Sequence, residues 1–243
     1  MRMTRCHIDQ ALTVGMRLTL PEAVSQHLLR VLRLHEGDAC ILFNGDGHDC
    51  DARIVAIVKR DALVEITARR AIDNESPLRI TLLQGIARGE KMDWIVQKAT
   101  ELGVARILPV VSDRSEVRLD GERADRRVAH WREVAISACE QSGRAVLPAV
   151  SAPSALAHAA TLRDGPGFVL DPLAEGASRK LAATLTSACT LAIGPEGGWS
   201  ARDLEQLHAA GFTGLRLGQR ILRTETAGIA AIAALQALAG DLG

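Results

Sequence analysis

The spacing of apolar residues along this chain changes character once, near residue 78. Before that point, short apolar stretches alternate with polar positions, the period of half-buried strands. Residues 39–43, 50–58 and 63–68 read as strands. Between them lie Asn44-Gly45-Asp46-Gly47 and Lys59-Arg60-Asp61, and Asn-Gly and Asp-Gly pairs supply the positive backbone angles that tight hairpins demand. Only residues 22–34 show helical spacing, with His27, Arg30 and Arg33 along one side, about a turn apart. This pattern predicts a small β-barrel with one short helix over residues 1–71. The polar stretch from Ala71 to Pro77 then forms a linker.

From residue 78 onward strand and helix patterns alternate. Strands are expected at 79–86, 105–111, 167–170, 190–193 and 213–217. Between them, residues 90–102 form a helix with Met92, Ile95, Val96, Ala99 and Leu102 on one face, stopped by Gly103. Val128, Trp131, Ala135 and Ala138 mark a second helix that ends before Gly143, and Ser154 is read as the cap of a third. Residues 177–187 are expected to be helical. Ser200 caps a helix to Ala210 with Asp203 three residues on, and residues 224–239 form the last helix. Such alternation predicts an α/β domain over residues 77–243, with a mainly parallel sheet covered on both faces.

Composition narrows the class. The chain has 243 residues, 47% of them hydrophobic, and no apolar run long enough to span a bilayer, so a soluble globular protein is expected. Met1-Arg2-Met3-Thr4-Arg5 leads into no apolar signal region, which points to the cytoplasm. Five scattered cysteines without a Cys-x-x-Cys pair argue for reduced thiols and no metal. Net charge is zero, yet only four of 29 basic residues are lysine. Arginine suits phosphates and base edges, so a nucleic-acid partner is permitted, although a GC-rich genome produces the same bias.

Chemistry concentrates in two late turns. Ile193-Gly194-Pro195-Glu196-Gly197-Gly198-Trp199-Ser200 and Leu217-Gly218-Gln219-Arg220-Ile221-Leu222-Arg223-Thr224-Glu225-Thr226 each read as a strand end, a polar turn and a helix start. In open parallel sheets ligands bind outside the carboxyl ends of strands, and glycine lets backbone approach a ligand closely. The strand ending at Asp171-Pro172 adds a third loop. Arg223 and Glu225 stand at the mouth of this crevice. Dinucleotide and P-loop fingerprints, His-Glu-x-x-His and Gly-x-Ser-x-Gly are all missing, which sets aside dehydrogenases, P-loop enzymes, zinc proteases and serine hydrolases. Arg88 and Lys91 lie at a strand-to-helix junction, where helix amides favour phosphate. Arg114, Arg118, Arg123, Arg126 and Arg127 interleave with acidic residues and read as a solvated helix face. Aromatic residues are too few for base stacking to dominate.

Several segments together resemble the bacterial 16S ribosomal RNA (uracil N3) methyltransferases, a family of the knotted, S-adenosylmethionine-dependent SPOUT superfamily. They are His27-Leu28-Leu29-Arg30-Val31-Leu32-Arg33, Arg88-Gly89-Glu90-Lys91-Met92-Asp93-Trp94, residues 97–104, Ala138-Cys139-Glu140-Gln141-Ser142-Gly143-Arg144 and both late turns. The resemblance implies a PUA-like RNA-binding barrel, a methyltransferase domain with a C-terminal trefoil knot, and a homodimer. It implies that Leu170, Ile193, Gly194, Glu196, Gly197, Leu217, Gly218, Ile221 and Leu222 line the S-adenosylmethionine pocket. Arg223 and Glu225 match its Arg-Thr-Glu-Thr motif, with Glu225 the candidate base and Arg223 the candidate stabiliser of negative charge. His27, Arg30 and Arg33 are placed on RNA, together with Arg88 and Lys91, and Gln141 and Arg144 are candidates to reach the target base or its phosphate. The expected partner is 16S ribosomal RNA in the small subunit. A SPOUT enzyme acting on transfer RNA and a non-enzymatic ribosome-assembly factor remain open; cofactor binding separates the factor from either enzyme, and substrate preference separates the enzymes.

Overall fold

The computed structural model describes residues 3–117, 119–174 and 185–243. The chain divides into two compact units, one running up to Glu75 and taking in Cys139–Leu147, the other comprising Ser76–Ala138 and Pro148–Gly243.

The first unit is a mixed sheet of β1 (Arg5–His7), β2 (Arg17–Thr19), β3 (Ala39–Phe43), β4 (His48–Val58) and β5 (Asp61–Ala71), in the order β1-β3-β4-β5-β2. Only the β1–β3 pair is parallel. The β3–β4 turn holds Gly45 and Gly47 at φ 86 and 87°, as the Asn-Gly and Asp-Gly pairs anticipated. The β4–β5 hairpin turns through Lys59 at φ 59°. Alternate residues Ala62, Val64 and Ile66 of β5 enter a core shared with Cys40, Leu42, Ile54 and Leu28.

Leu28 belongs to an element that differs from its expected form. The segment expected to be one helix over 22–34 is a short α1 (Glu22–Gln26) that widens into a π-helical turn at His27–Val31. The Leu32 N–H bonds the His27 carbonyl at 3.0 Å and the Leu34 N–H bonds that of Leu28 at 3.0 Å, while Arg33 takes φ 57°. The wide turn drops Leu28 into the core and leaves His27, Arg30 and Arg33 exposed.

A buried ionic network ties Cys139–Leu147 into this unit. Arg5 holds Asp49 by two hydrogen bonds of 2.6 and 3.3 Å and donates to the carbonyls of Cys139 (2.6 Å) and Arg144 (3.1 Å). Its guanidinium also lies 4.4 Å from the Phe43 ring centre. The Arg144 side chain in turn grips Glu75 through two bonds of 2.5 and 2.9 Å.

The second unit is an α/β domain built on a parallel sheet. Strands β6 (Arg79–Gly85), β7 (Val104–Val111), β8 (Ala149–Val150), β9 (Ser154–Ala155), β10 (Gly167–Leu170), β11 (Ala188–Ile193) and β12 (Phe212–Leu215) run in the order β12-β10-β11-β6-β7-β8, with β9 also pairing β7. Every pairing is parallel. Helices α2 (Lys91–Glu101), α3 (Gly121–Ser142), α4 (Leu156–Thr161), α5 (Ala201–Ala209) and α6 (Thr224–Ala239) complete it, except that α3 ends in the first unit. Strand alternation feeds two cores: Leu82 packs with residues of α2, α3 and α6, whereas its neighbour Leu83 packs with residues of α4 and α5.

The helix caps are mixed in outcome. The Ser200–Asp203 capping box opens α5, each side chain accepting from the other's backbone N–H at 3.0 Å. Ser154 does not cap α4. Ala155 holds that position without a side-chain bond, because the backbone of Ser154 pairs with Val110 of β7. The expected helix at 177–187 lies outside the described residues up to 184, and residues 185–187 are not helical. Helix α6 buries two polar side chains, Thr224 at its start and Gln236 near its end, the latter accepting from Ser76 at 2.6 Å and donating to the Leu102 carbonyl at 2.9 Å.

Candidate active site

Strand order decides where the late loops meet. Because β10 lies between β12 and β11, the turns after all three strands open side by side at one sheet end. They enclose, with the start of α6, a cavity of about 730 Å³ within the second unit. All nine expected pocket residues line it: Leu170, Ile193, Gly194, Glu196, Gly197, Leu217, Gly218, Ile221 and Leu222. Arg223, Glu225 and Lys91 line it too, as do Pro195, Trp199 and Arg114, which sequence reasoning had not assigned to it.

The walls are fixed by backbone contacts that require glycine. A Cβ on Gly85 would lie 2.5 Å from the ring and nitrogen of Pro195, so β6 and the β11 loop touch backbone to backbone. Gly198 and Gly218 adopt φ 67 and 65°, a region costly to other residues. Three polar links brace the loops. Thr224 donates to the Gly194 carbonyl at 2.6 Å and accepts from Gln84 at 3.1 Å, anchoring α6 to the β11 loop. Arg114 donates to the Gly197 carbonyl at 3.0 Å. The Glu196 carboxylate accepts from Lys91 at 2.9 Å and from the Arg88 backbone N–H at 3.1 Å. Partial burial works upward on the Glu196 carboxyl, but these hydrogen bonds, with the charge of Lys91, hold it below the usual carboxylate range.

Two polar atoms in the cavity wall stay unsatisfied. Oε2 of Glu225 and Nε1 of Trp199 are buried and without a hydrogen-bond partner among the described residues. A buried polar atom left alone costs about 1–3 kcal/mol, and native interiors pair nearly all of them. Glu225 sits in the first turn of α6, where the helix dipole favours its charge. The cavity wall therefore contains an unsatisfied carboxylate oxygen and an unsatisfied indole N–H among mostly apolar and backbone surfaces. These features fit S-adenosylmethionine, whose flat base, polar ribose and cationic sulfonium need that mixture of surfaces.

The seven residues expected on RNA divide by environment. His27, Arg30 and Arg33, together with Gln141 at the end of α3, present exposed side chains in the first unit without an ion pair among the described residues. Arg144 does not: its guanidinium is buried against Glu75, 69 residues away in sequence, so it holds the first unit together instead of reaching outward. Arg88 is paired with Glu116, and Lys91 is drawn to Glu196 at the cavity edge. The arginines read as one solvated face also separate. Arg126 is exposed beside Glu122, Arg118 lies outside the described residues, and Arg123 and Arg127 border a second, smaller cavity. Among the described residues, no group of three or more His, Cys, Asp or Glu is placed to hold a metal ion, and no helix is long and apolar enough to cross a membrane.

Comparison with known proteins gives this geometry a family. An RNA methyltransferase domain matches residues 74–236, and an RNA methyltransferase PUA domain matches residues 20–67. The ribosomal RNA small subunit methyltransferase E of Buchnera aphidicola is 32% identical over 99% of this chain and 98% of its own. A methyltransferase from Legionella pneumophila, in complex with the bound cofactor SAM, superposes over 100% of both chains with a TM-score of 0.94 at 36% identity. The ribosomal RNA small subunit methyltransferase E of Neisseria gonorrhoeae, bound to S-adenosyl methionine, does so at 0.91 and 39% over 100% of both chains. With both domains matched in order and a relative aligned from end to end, the chain belongs to the ribosomal RNA small subunit methyltransferase E family.

Proposed function

We propose that this protein transfers the methyl group of S-adenosylmethionine to N3 of a uridine in 16S ribosomal RNA, within the small ribosomal subunit. The reading includes a cytoplasmic homodimer and the C-terminal trefoil knot implied by the family resemblance. The observation that carries it is the three-loop cavity with the unpartnered Glu225 oxygen in its wall.

Bound S-adenosylmethionine supplies an electrophilic methyl group, so the protein's work is alignment and handling of the proton. The imide N3 of uridine is protonated at neutral pH and cannot attack until that proton leaves. The free oxygen of Glu225 is the group suited to take it, and no hydrogen bond among the described residues competes for it. Negative charge then spreads onto the two flanking carbonyl oxygens of the base, where Arg223 at the cavity edge would offset it. As N3 bonds the methyl carbon, the carbon–sulfur bond breaks and its electron pair stays on sulfur. Exposed His27, Arg30, Arg33 and Gln141 support RNA contact on the first unit, and the small-residue helix α6 supports close packing.

Glu225→Gln keeps the shape of the site and removes the base. Single-turnover transfer is expected to fall at least about 100-fold, with S-adenosylmethionine affinity by calorimetry nearly unchanged. Full transfer by Glu225→Gln would show that the carboxylate is not the base.

A further inference from the structure

A second cavity of about 250 Å³ lies in the methyltransferase unit and has no part in the site just described. Its apolar lining comes from Ile86, Val117, Leu119 and Trp131, and Arg123 and Arg127 line it as well. Trp131 is fully buried, yet its indole N–H meets no acceptor among the described residues. Arg127 lies 5.3 Å from the Trp131 ring centre and is held by Asp93 at 3.8 Å and by the Gly89 carbonyl at 3.4 Å, whereas the Arg123 guanidinium meets no carboxylate among the described residues. One segment joins this cavity to the larger one. Ile86 lines the small cavity and Lys91, five residues on, lines the large one, while the Arg88 N–H between them bonds Glu196 in the wall of the large cavity.

We infer that this second cavity binds a nucleotide of the RNA strand, one adjoining the nucleotide that is methylated; this rests on the function proposed above. Apolar walls suit the face of a base, an unpaired indole N–H in the lining suits a base carbonyl oxygen, and Arg123 at the border, with no carboxylate partner among the described residues, suits the phosphate. The volume is below that of a pocket for a drug-sized ligand, which leaves room for a single base. Residues 86–91 run from the wall of one pocket to the wall of the other, a short span that suits neighbouring nucleotides of one strand.

The test has two arms. In ¹⁵N spectra of the full chain, the Trp131 indole resonance, assigned by its loss in Trp131→Phe, is followed while each ribonucleoside monophosphate is added. It is expected to move with at least one of them. In methyl transfer to small subunits, Arg123→Ala is expected to raise KM about tenfold, as for one lost charge-assisted contact, with kcat and S-adenosylmethionine affinity unchanged. An unmoved Trp131 resonance, or an unchanged KM, overturns the inference. If the wild-type protein methylates no subunit, the proposed function fails on its own, and the resonance arm alone decides the pocket.

Discussion

Replacing Gly85 with alanine adds one methyl group where two loops touch. The new Cβ would lie 2.5 Å from both Cδ and N of Pro195 and 2.9 Å from the Gly194 carbonyl carbon. Carbon atoms rest about 3.5–4.0 Å apart, so the Gly194-Pro195 backbone must retreat by about 1 Å. Overpacking of this kind costs about 1–3 kcal/mol. Gly194 and Pro195 wall the large cavity, so the relaxed loop stands away from its ligand. Drawing it back on binding returns the strain to the affinity. At about 1.4 kcal/mol per tenfold, S-adenosylmethionine should bind about 5- to 140-fold more weakly. Calorimetric titration measures this directly. Gly15→Ala is the control: Gly15 has φ 83° and nothing within 4 Å of a Cβ, and it lies in the first unit. That variant should lose about 1–2 kcal/mol of stability and keep its affinity. Affinity for Gly85→Ala within about twofold of wild type would refute the close-approach argument.

Other consequences are as direct. Asp49→Asn leaves Arg5 charged and buried without its counter-ion, both side chains being at most 5% exposed; unfolding free energy from denaturant titration should fall by about 3–5 kcal/mol. The carboxyl of Glu196 is held low, so its link to Lys91 contributes stability above the unfolded glutamate value, about 4.3, and loses it as pH falls through the lowered folded value. The stability gap between wild type and Glu196→Gln should therefore close on acidification, and a gap constant down to about pH 3 would contradict this. All five cysteines are buried, and burial pushes the thiols of Cys6 and Cys189 up to about 12 and those of Cys40 and Cys139 to about 11. Thiol reagents at mild alkaline pH should modify none of them until denaturant is added.

The parallel domain was legible in the sequence because each strand is an apolar run followed by helical spacing. The expected limits of β6, α2 and α6 lie within two residues of those observed. The large cavity was legible for the same reason, since strand ends and glycine-rich turns are local signals. What escaped is non-local or too short. Strands β1 and β2 have three residues each, below the length at which a period shows. The π-helical turn has a spacing that α-helical periodicity does not encode, so the segment read as one regular helix. Arg144 follows Gly143 and reads as exposed; its burial depends on Glu75, 69 positions earlier. Lys91 and Glu196 are separated by 105 positions and meet only when β6 and β11 pair. Alternating charges on α3 looked uniform because nothing local distinguishes Arg126, on solvent, from Arg127, over an indole ring.

Methyl transfer from labelled S-adenosylmethionine to unmodified small ribosomal subunits, free 16S RNA and bulk transfer RNA tests the central claim most directly. Label is expected in 16S RNA of the small subunit, recovered after digestion as N3-methyluridine. Label confined to transfer RNA, or no label together with no binding of S-adenosylmethionine, would contradict it.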